Sequence, residues 1–211
     1  KRLLKDGYEE VVSFDNYSTG FRENQLADCT YITLDITESF TNWVEKFDVI
    51  FHLAALARIQ PSIKNPVKCL ENNFNGTLNV LEYARKNNTP VIYAGSSSKH
   101  HNLYGSPYAW SKYSGEELCK LYSEVYDLNT TICRFYNVYG DYHIRTGDYA
   151  TVVGIFEEQF MNKKDLTITS DGEQRRDFTH AEDIVDGLVK CVGKDFKAEE
   201  FELGSGVNYS I

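Results

Sequence analysis

The strongest constraint in this chain is an alternation. Short apolar runs at 11–15, 31–34, 48–53, 90–94 and 131–135 are separated by stretches with helical spacing, clearest at 66–86 and 107–126. A run of this kind, too short for a helix and bounded by turn residues, reads as a strand buried on both faces. Strands that alternate with helices return in the same direction, so they build a parallel sheet with the helices laid over it. The expected fold class is α/β, a doubly wound parallel sheet with helices on both faces. After residue 140 the alternation loosens: "GDYHIRTGDYA" is a polar, glycine-containing loop, and a shorter mixed region follows. The expected organisation is a sheet domain over 1–140 and a partial second region over 141–211, some of whose segments return to the first.

The 211 residues are 42% hydrophobic, enough for one sizeable core or a core plus a small lobe. No apolar run approaches the roughly 18 residues of a membrane span. Lysine and arginine number 22 against 31 acids, a net charge of −9. Such a field repels phosphate polymers and anionic lipid, which argues against nucleic-acid or membrane partners. It leaves room for a small anionic substrate held by a few local arginines. The 5 cysteines are scattered without a C-x-x-C, read as reduced thiols, and fit the cytoplasm. "KRLLKDG" opens as the tail of a helix and "NYSI" stops where Ser210 has the chemistry of a helix cap, so the chain is expected to begin and end inside a domain.

Ser106 and Pro107 mark a helix start, a hydroxyl cap followed by the residue best tolerated at the first position. Leu118, Leu121, Tyr122 and Val125 then form an apolar stripe, while Tyr108 and Lys112 share a face one turn apart ahead of it. An ammonium beside a phenol favours the phenolate, which makes Tyr108 an acid/base candidate near neutrality. The same spacing also occurs in helices with no such role. Context adds weight: in "VIYAGSSSKHH" a buried strand ends on Ser96, Ser97 and Ser98, and parallel sheets bind ligands beyond the carboxyl ends of their strands. Asp15-Asn16 ends another strand, either as a turn or as the carboxylate that a dinucleotide fold sets against the adenosine ribose. Asn72, Asn73, Asn75 and Gly76 are poor helix formers inside a helical pattern, a cost that an amide facing a ligand or a close helix contact would explain. Arg175-Arg176 reads as a surface pair or a phosphate clamp. His100-His101 lacks cysteine or carboxylate partners at ligand spacing, so no metal site is expected.

In their order and spacing, Asp15-Asn16, Asp35-Ile36, "HLAAL" at 52–56, "NNFNGT" at 72–77, Ser96, "SPYAWSKY" at 106–113, "RFYNVYG" at 134–140 and "DGEQRRDF" at 171–178 resemble the extended short-chain dehydrogenase/reductase family. The resemblance covers essentially the whole chain. It is to the nucleotide-sugar epimerase/dehydratase branch, and within it most to UDP-glucose and UDP-N-acetylglucosamine 4-epimerases. It implies a Rossmann-like fold with part of a small C-terminal substrate lobe, NAD as cofactor, a UDP-hexose substrate and a homodimer through the helices at 66–86 and 107–126. Tyr108 would be the catalytic base and acid, Lys112 would lower its pKa and hold the nicotinamide ribose, and Ser96 would bind the reacting hydroxyl. Hydride would leave carbon 4 for bound NAD+ and return to the other face of the keto sugar. Asp15, Asn16, Asp35, Ile36, Leu53, Ala54, Ala55, Asn73, Tyr108, Lys112 and Tyr136 match cofactor contacts. Ser97, Ser98, Asn137 and Arg176 match the substrate side. Asp15 would also repel a 2′-phosphate, favouring NAD over NADP.

The chain departs from the family in three places. The glycine-rich phosphate loop and first strand would precede Lys1, and more of the substrate lobe would follow Ile211, so the chain by itself is expected to bind NAD poorly. The segment from Ser96 to Tyr108 is short for the family, and "SSSKHH" replaces its serine–aromatic–glycine pattern. The alternative activity is a 4,6-dehydratase or decarboxylase. Those relatives place an acid just after the catalytic hydroxyl residue, where this chain has Ser97 and Ser98, which favours epimerisation. An alternative of another class is a catalytically silent chain that keeps only the fold and the dimerisation helices.

Overall fold

A computed structural model describes residues 1–38, 40 and 43–211. The chain runs α1 (Arg2–Lys5), β1 (Val12–Asp15), β2 (Thr30–Thr33), β3 (Ile50–His52), α2 (Ile59–Lys64), α3 (Pro66–Leu70), α4 (Gly76–Asn87), β4 (Val91–Ser96) and α5 (Pro107–Tyr126). It continues through β5 (Thr130–Phe135), β6 (Asn137–Tyr139), α6 (Val152–Met161), β7 (Arg175–His180), α7 (Ala181–Lys190), β8 (Glu199–Leu203) and β9 (Asn208–Ser210). The strands expected from the apolar runs are all present. They pair in parallel: β1 with β2, and β3-β4-β5-β8 as a continuous sheet. A further sheet sets β6 parallel and β9 antiparallel to β7. Ser210, expected to start a helix, lies in β9 opposite Arg175.

The residues of β4 explain why helices cover both faces. Side chains alternate along a strand, and every residue of "VIYAGS" is buried. Val91 and Tyr93 join Ile132 of β5 beneath Leu81 and Ala84 of α4 and Cys119 and Tyr122 of α5. Ile92 and Cys133 face the other way, beneath Ile184, Leu188 and Cys191 at α7. Among the described residues no helix is long and apolar enough to cross a membrane.

Two helical expectations are corrected. The helix expected at 66–86 is interrupted by a π turn at Glu71–Asn75, between α3 and α4. Asn72, Asn73 and Asn75 sit in that turn, where the widened backbone sends Asn73 inward, and Gly76 opens α4 against Ile36. On α5 the expected stripe divides: Tyr122 is buried and Leu118 packs against the core, whereas Leu121 and Val125 are exposed, and the buried face also carries Ser111, Lys112, Gly115, Glu116 and Cys119. The inner face of α5 is largely polar because the sheet supplies it with specific partners.

Candidate active site

Ser96 ends β4 and starts a short 3-10 turn at Ser97–His100. Its Oγ accepts the Ser98 N–H at 3.3 Å and the Ser98 hydroxyl at 3.0 Å. The Tyr108 hydroxyl donates to the same Oγ at 3.4 Å. Ser106 caps α5 by accepting the Ala109 N–H at 3.1 Å, and Ser62 of α2 accepts the Tyr108 N–H at 3.2 Å. The first turn of α5 is therefore held from two sides, with its phenol aimed at the end of β4.

The rest of α5 is pressed onto the sheet. A Cβ on Gly115 would stand 2.1 Å from the Tyr93 hydroxyl, so only glycine permits this approach. Tyr93 donates to the Lys112 carbonyl at 3.2 Å. Glu116 is fully buried, and its carboxylate accepts Arg134 Nε at 3.0 Å and Nη2 at 2.8 Å, a two-pronged pair. Arg134 also meets Glu200 at 2.6 Å and Glu202 at 2.8 Å. Lys99 and His100 tie the short turn to this cluster, through Glu116 at 3.4 Å and Glu202 at 2.8 Å.

The electrostatics differ from the expectation for Tyr108 and Lys112. Burial raises the Tyr108 pKa above the ordinary phenol value, opposed by the Ser96 hydrogen bond and the Arg58 guanidinium. The ammonium of Lys112 lies 4.2 Å from the centre of the Tyr93 ring, a cation–π contact, and burial lowers its pKa to about 8. The Arg58 guanidinium lowers the phenol's pKa, while the Lys112 ammonium rests on the Tyr93 ring. Spacing along a helix places two residues on one face, but it does not set the direction in which a long, flexible side chain points.

A narrow cavity of about 170 Å³ opens between the ends of β1 and β3. Asp15, Asn16, Ile36, Leu53, Ala54 and Ala55 line it together. Ser18, Thr19, Gly20, Leu56 and Asn72 line it too and were missed. Asn72 had a signal, its poor fit to a helix; the others follow strand ends and had only that position. Asp15 Oδ1 accepts the Tyr17 N–H at 2.7 Å. Among the described residues Asp15 Oδ2 has no hydrogen bond. Asp35 accepts Asn16 Nδ2 at 2.9 Å, and hydrogen bonds from the Thr37 N–H, Asn16 and the Thr37 hydroxyl hold its carboxyl below the usual range.

Asp35, Asn73 and Tyr136, expected to touch a cofactor, do not line this cavity. Asn73 is 2% exposed and spends its amide on the protein: it accepts the Leu56 N–H at 2.8 Å and donates to the Leu56 carbonyl at 3.1 Å and Ser111 at 3.0 Å. It holds the loop after β3 in place and has no surface to offer a ligand. Tyr136 is not in the cavity lining, and its hydroxyl donates to Glu202 at 3.1 Å. His52 of β3 is a buried structural residue, its Nε2 lying 2.9 Å from Thr77 Oγ1, and burial followed by the Lys112 charge lowers its pKa to about 3.

A wider cleft of about 330 Å³ lies beside β6, β7 and α6, lined among others by Arg58, Asn137, Thr151, Gln174 and Arg176. Asn137 donates to the Asp177 carbonyl at 3.2 Å. The arginine pair is split by the pleat of β7: Arg176 borders the cleft, whereas Arg175 turns to Asn208, donating through Nη2 to its carbonyl at 2.6 Å. Ser97 and Ser98 are half-buried at the Ser96 turn and do not line the cleft. Arg58 escaped the sequence reading; its signal was its place just after a strand-end motif.

This arrangement resembles known proteins. The profile of the NAD dependent epimerase/dehydratase family matches residues 1–204. A putative UDP-glucose 4-epimerase of Methanocaldococcus jannaschii is 30% identical, aligned over 100% of this chain and 73% of its own length. A UDP-N-acetyl-alpha-D-glucosaminuronate decarboxylase of Bacillus cytotoxicus is also 30% identical, over 100% of this chain and 72% of its own. Among solved structures, UDP-glucose 4-epimerase of Thermotoga maritima, determined with UDP-glucose, superposes with a TM-score of 0.91 at 27% identity, covering 99% of this chain and 73% of that one. With its Rossmann-like sheet and a family match along nearly its whole length, the chain belongs to the NAD dependent epimerase/dehydratase family.

Proposed function

We propose that the chain inverts carbon 4 of a UDP-hexose through a transient 4-keto sugar. The observation that carries this reading is the Tyr108 hydroxyl 3.4 Å from Ser96 Oγ at the carboxyl end of β4. Asp15, Asn16, Ile36, Leu53, Ala54 and Ala55 would hold NAD. Their cavity suits it, combining a carboxylate oxygen with no partner among the described residues, for a ribose diol, with small side chains beside a flat ring. Asp35 and Asn73 position these residues without touching the cofactor. NAD, when bound, supplies the hydride acceptor and donor.

Ser96 orients the sugar hydroxyl, and Tyr108 takes its proton and later returns it. Burial holds the proton on the phenol, and the Arg58 charge pulls the other way, so Tyr108 exchanges its proton more readily than burial alone would allow. Lys112 contributes an ammonium whose pKa of about 8 is near neutrality, for the ribose. Asn137 and Arg176 would take the diphosphate. Elimination or decarboxylation calls for a further acid, and no carboxylate lines the cleft among the described residues. Glu116, Glu200 and Glu202 are nearby but committed to Arg134.

We also propose a homodimer through the outer faces of α4 and α5, where Leu121, Val125 and Tyr126 are exposed. A mass above the monomer by light scattering at micromolar concentration is the expected result.

Incubation with UDP-glucose and UDP-N-acetylglucosamine and NAD, followed by separation of the product sugars, tests the activity. Tyr108→Phe removes the proton carrier and is expected to lower turnover by about 10²–10⁴-fold. Retention of more than about a tenth of the rate refutes the role of Tyr108.

A further inference from the structure

Ser96 and Tyr108 sit on different elements, and the segment between them does little to join them. Beyond the 3-10 turn at Ser97–His100, residues His101, Asn102, Tyr104 and Gly105 are exposed, and α5 begins at Pro107. The sheet fixes the backbone of Ser96, which pairs with Phe135 of β5. It does not fix the hydroxyl, because a serine side chain has several staggered rotamers open to it. The turn selects among them: the Ser98 N–H and hydroxyl both reach Ser96 Oγ, on which the Tyr108 hydroxyl also converges.

Lys99, the next residue, holds that turn. Its ammonium lies 3.4 Å from Glu116 of α5 and 3.5 Å from Glu200 of β8, with the centre of the Tyr113 ring at 5.2 Å. Glu116 is fully buried, about two helical turns beyond Tyr108. Lys99 therefore ties the turn that aims Ser96 to the helix that carries the phenol. The carboxylates have other cations. Glu116 keeps its two-pronged pair with Arg134, and Glu200 keeps Lys120 at 2.7 Å and Arg134 at 2.6 Å. Lys99 lines neither cavity, so it has no place against cofactor or substrate. We propose that Lys99 is a positioning residue for the Ser96–Tyr108 pair: it anchors the turn to α5 and, through Ser98, keeps Ser96 Oγ directed at the phenol.

The inference rests on the epimerase reading, and the test separates the two. Turnover of UDP-glucose and UDP-N-acetylglucosamine with NAD is compared in the wild-type chain, Lys99→Met and Lys99→Arg. A small misplacement of a reacting group is costly in rate, so Lys99→Met is expected to lower kcat by about 10- to 100-fold. KM is expected to stay within about threefold, because the lysine touches no ligand. Lys99→Arg restores the cation and most of the rate. Thermal unfolding is expected to change little, since each carboxylate keeps another partner. A second readout needs no activity: in carbon-13 spectra of ring-labelled tyrosine, the Tyr108 signal, identified by its loss in Tyr108→Phe, shifts in Lys99→Met and returns in Lys99→Arg. Lys99→Gln, which removes the charge but keeps a polar end, replaces the methionine variant if that does not fold. Unchanged kcat, an unmoved Tyr108 signal, or a loss of rate that only matches the loss of folded protein overturns the inference. A wild-type chain that turns over neither sugar overturns the epimerase reading instead, and the Tyr108 signal then decides the role of Lys99.

Discussion

The two faces of α5 reverse the usual division of side chains. Its inner face carries Ser111, Lys112, Gly115 and Glu116, all buried, whereas its outer face exposes Leu121, Val125 and Tyr126. Burying charge is costly unless each charge has partners. Glu116 has Arg134 in a two-pronged pair, and Lys112 has the face of Tyr93. The contrast shows what the polar face accomplishes: it seats the helix at a fixed height on β4 and β5, so that Tyr108 meets Ser96. The outer face takes no part in that geometry.

The comparison breaks most severely at Arg134. Arg134→Met leaves Glu116 buried without its partner, and loss of one member of a buried pair costs about 3–5 kcal/mol. Urea unfolding is expected to show this loss. A cost below about 1 kcal/mol means that water or Lys99 replaces the arginine.

A smaller effect is expected from Gly115→Ala, whose Cβ would stand 2.1 Å from the Tyr93 hydroxyl. Overpacking of this kind costs about 1–3 kcal/mol, and it lifts the first turn of α5 away from Ser96. Stability and turnover are expected to fall together. An alanine variant with wild-type turnover would show that α5 has more freedom than the inner face suggests.

Lys112 makes the comparison dependent on pH. Its folded pKa of about 8 lies below the ordinary 10.5, so between these values the unfolded chain binds more protons than the folded one. The contribution of this group to stability rises with pH across that window, and below about 8 the full cost of burying the ammonium remains. Lys112→Met is expected to be more stable than the wild type at pH 7, with an advantage that narrows from pH 8 upward. His52, Cys69 and Cys119 face Lys112 and feel its charge, so the difference between the two unfolding curves reports the Lys112 ammonium together with its effect on these neighbours. An advantage constant from pH 7 to 9 contradicts the assignment.

The smallest effect belongs to the outer face. Leu121 is 51% exposed, and Leu121→Gln is expected to change stability by no more than about 0.5 kcal/mol. Its readout is mass by light scattering, where the proposed dimer weakens. If this substitution destabilises the chain at concentrations where it is monomeric, the outer face serves the fold as well.

Period and position were legible in the chain alone. An apolar run of strand length identifies β4 without knowledge of its neighbours, and a serine before a proline identifies the cap of α5. The groups that end a strand or start a helix, such as Asp15, Ser96 and Tyr108, could be found because their chemistry depends on local position. Asn73 and Tyr136 spend polar atoms within the protein, on Leu56 and Ser111 and on Glu202, which a motif does not show because it names a residue and not its partners. Sequence by itself determined the parallel α/β sheet and the two elements that carry Ser96 and Tyr108. Only the tertiary structure decided which face of α5 is buried, that the Lys112 ammonium rests on the Tyr93 ring, and that Glu116 and Arg134 form a pair. The physical reason is that local spacing fixes which residues share a face, whereas burial and charge pairing depend on what the sheet and loops bring opposite that face.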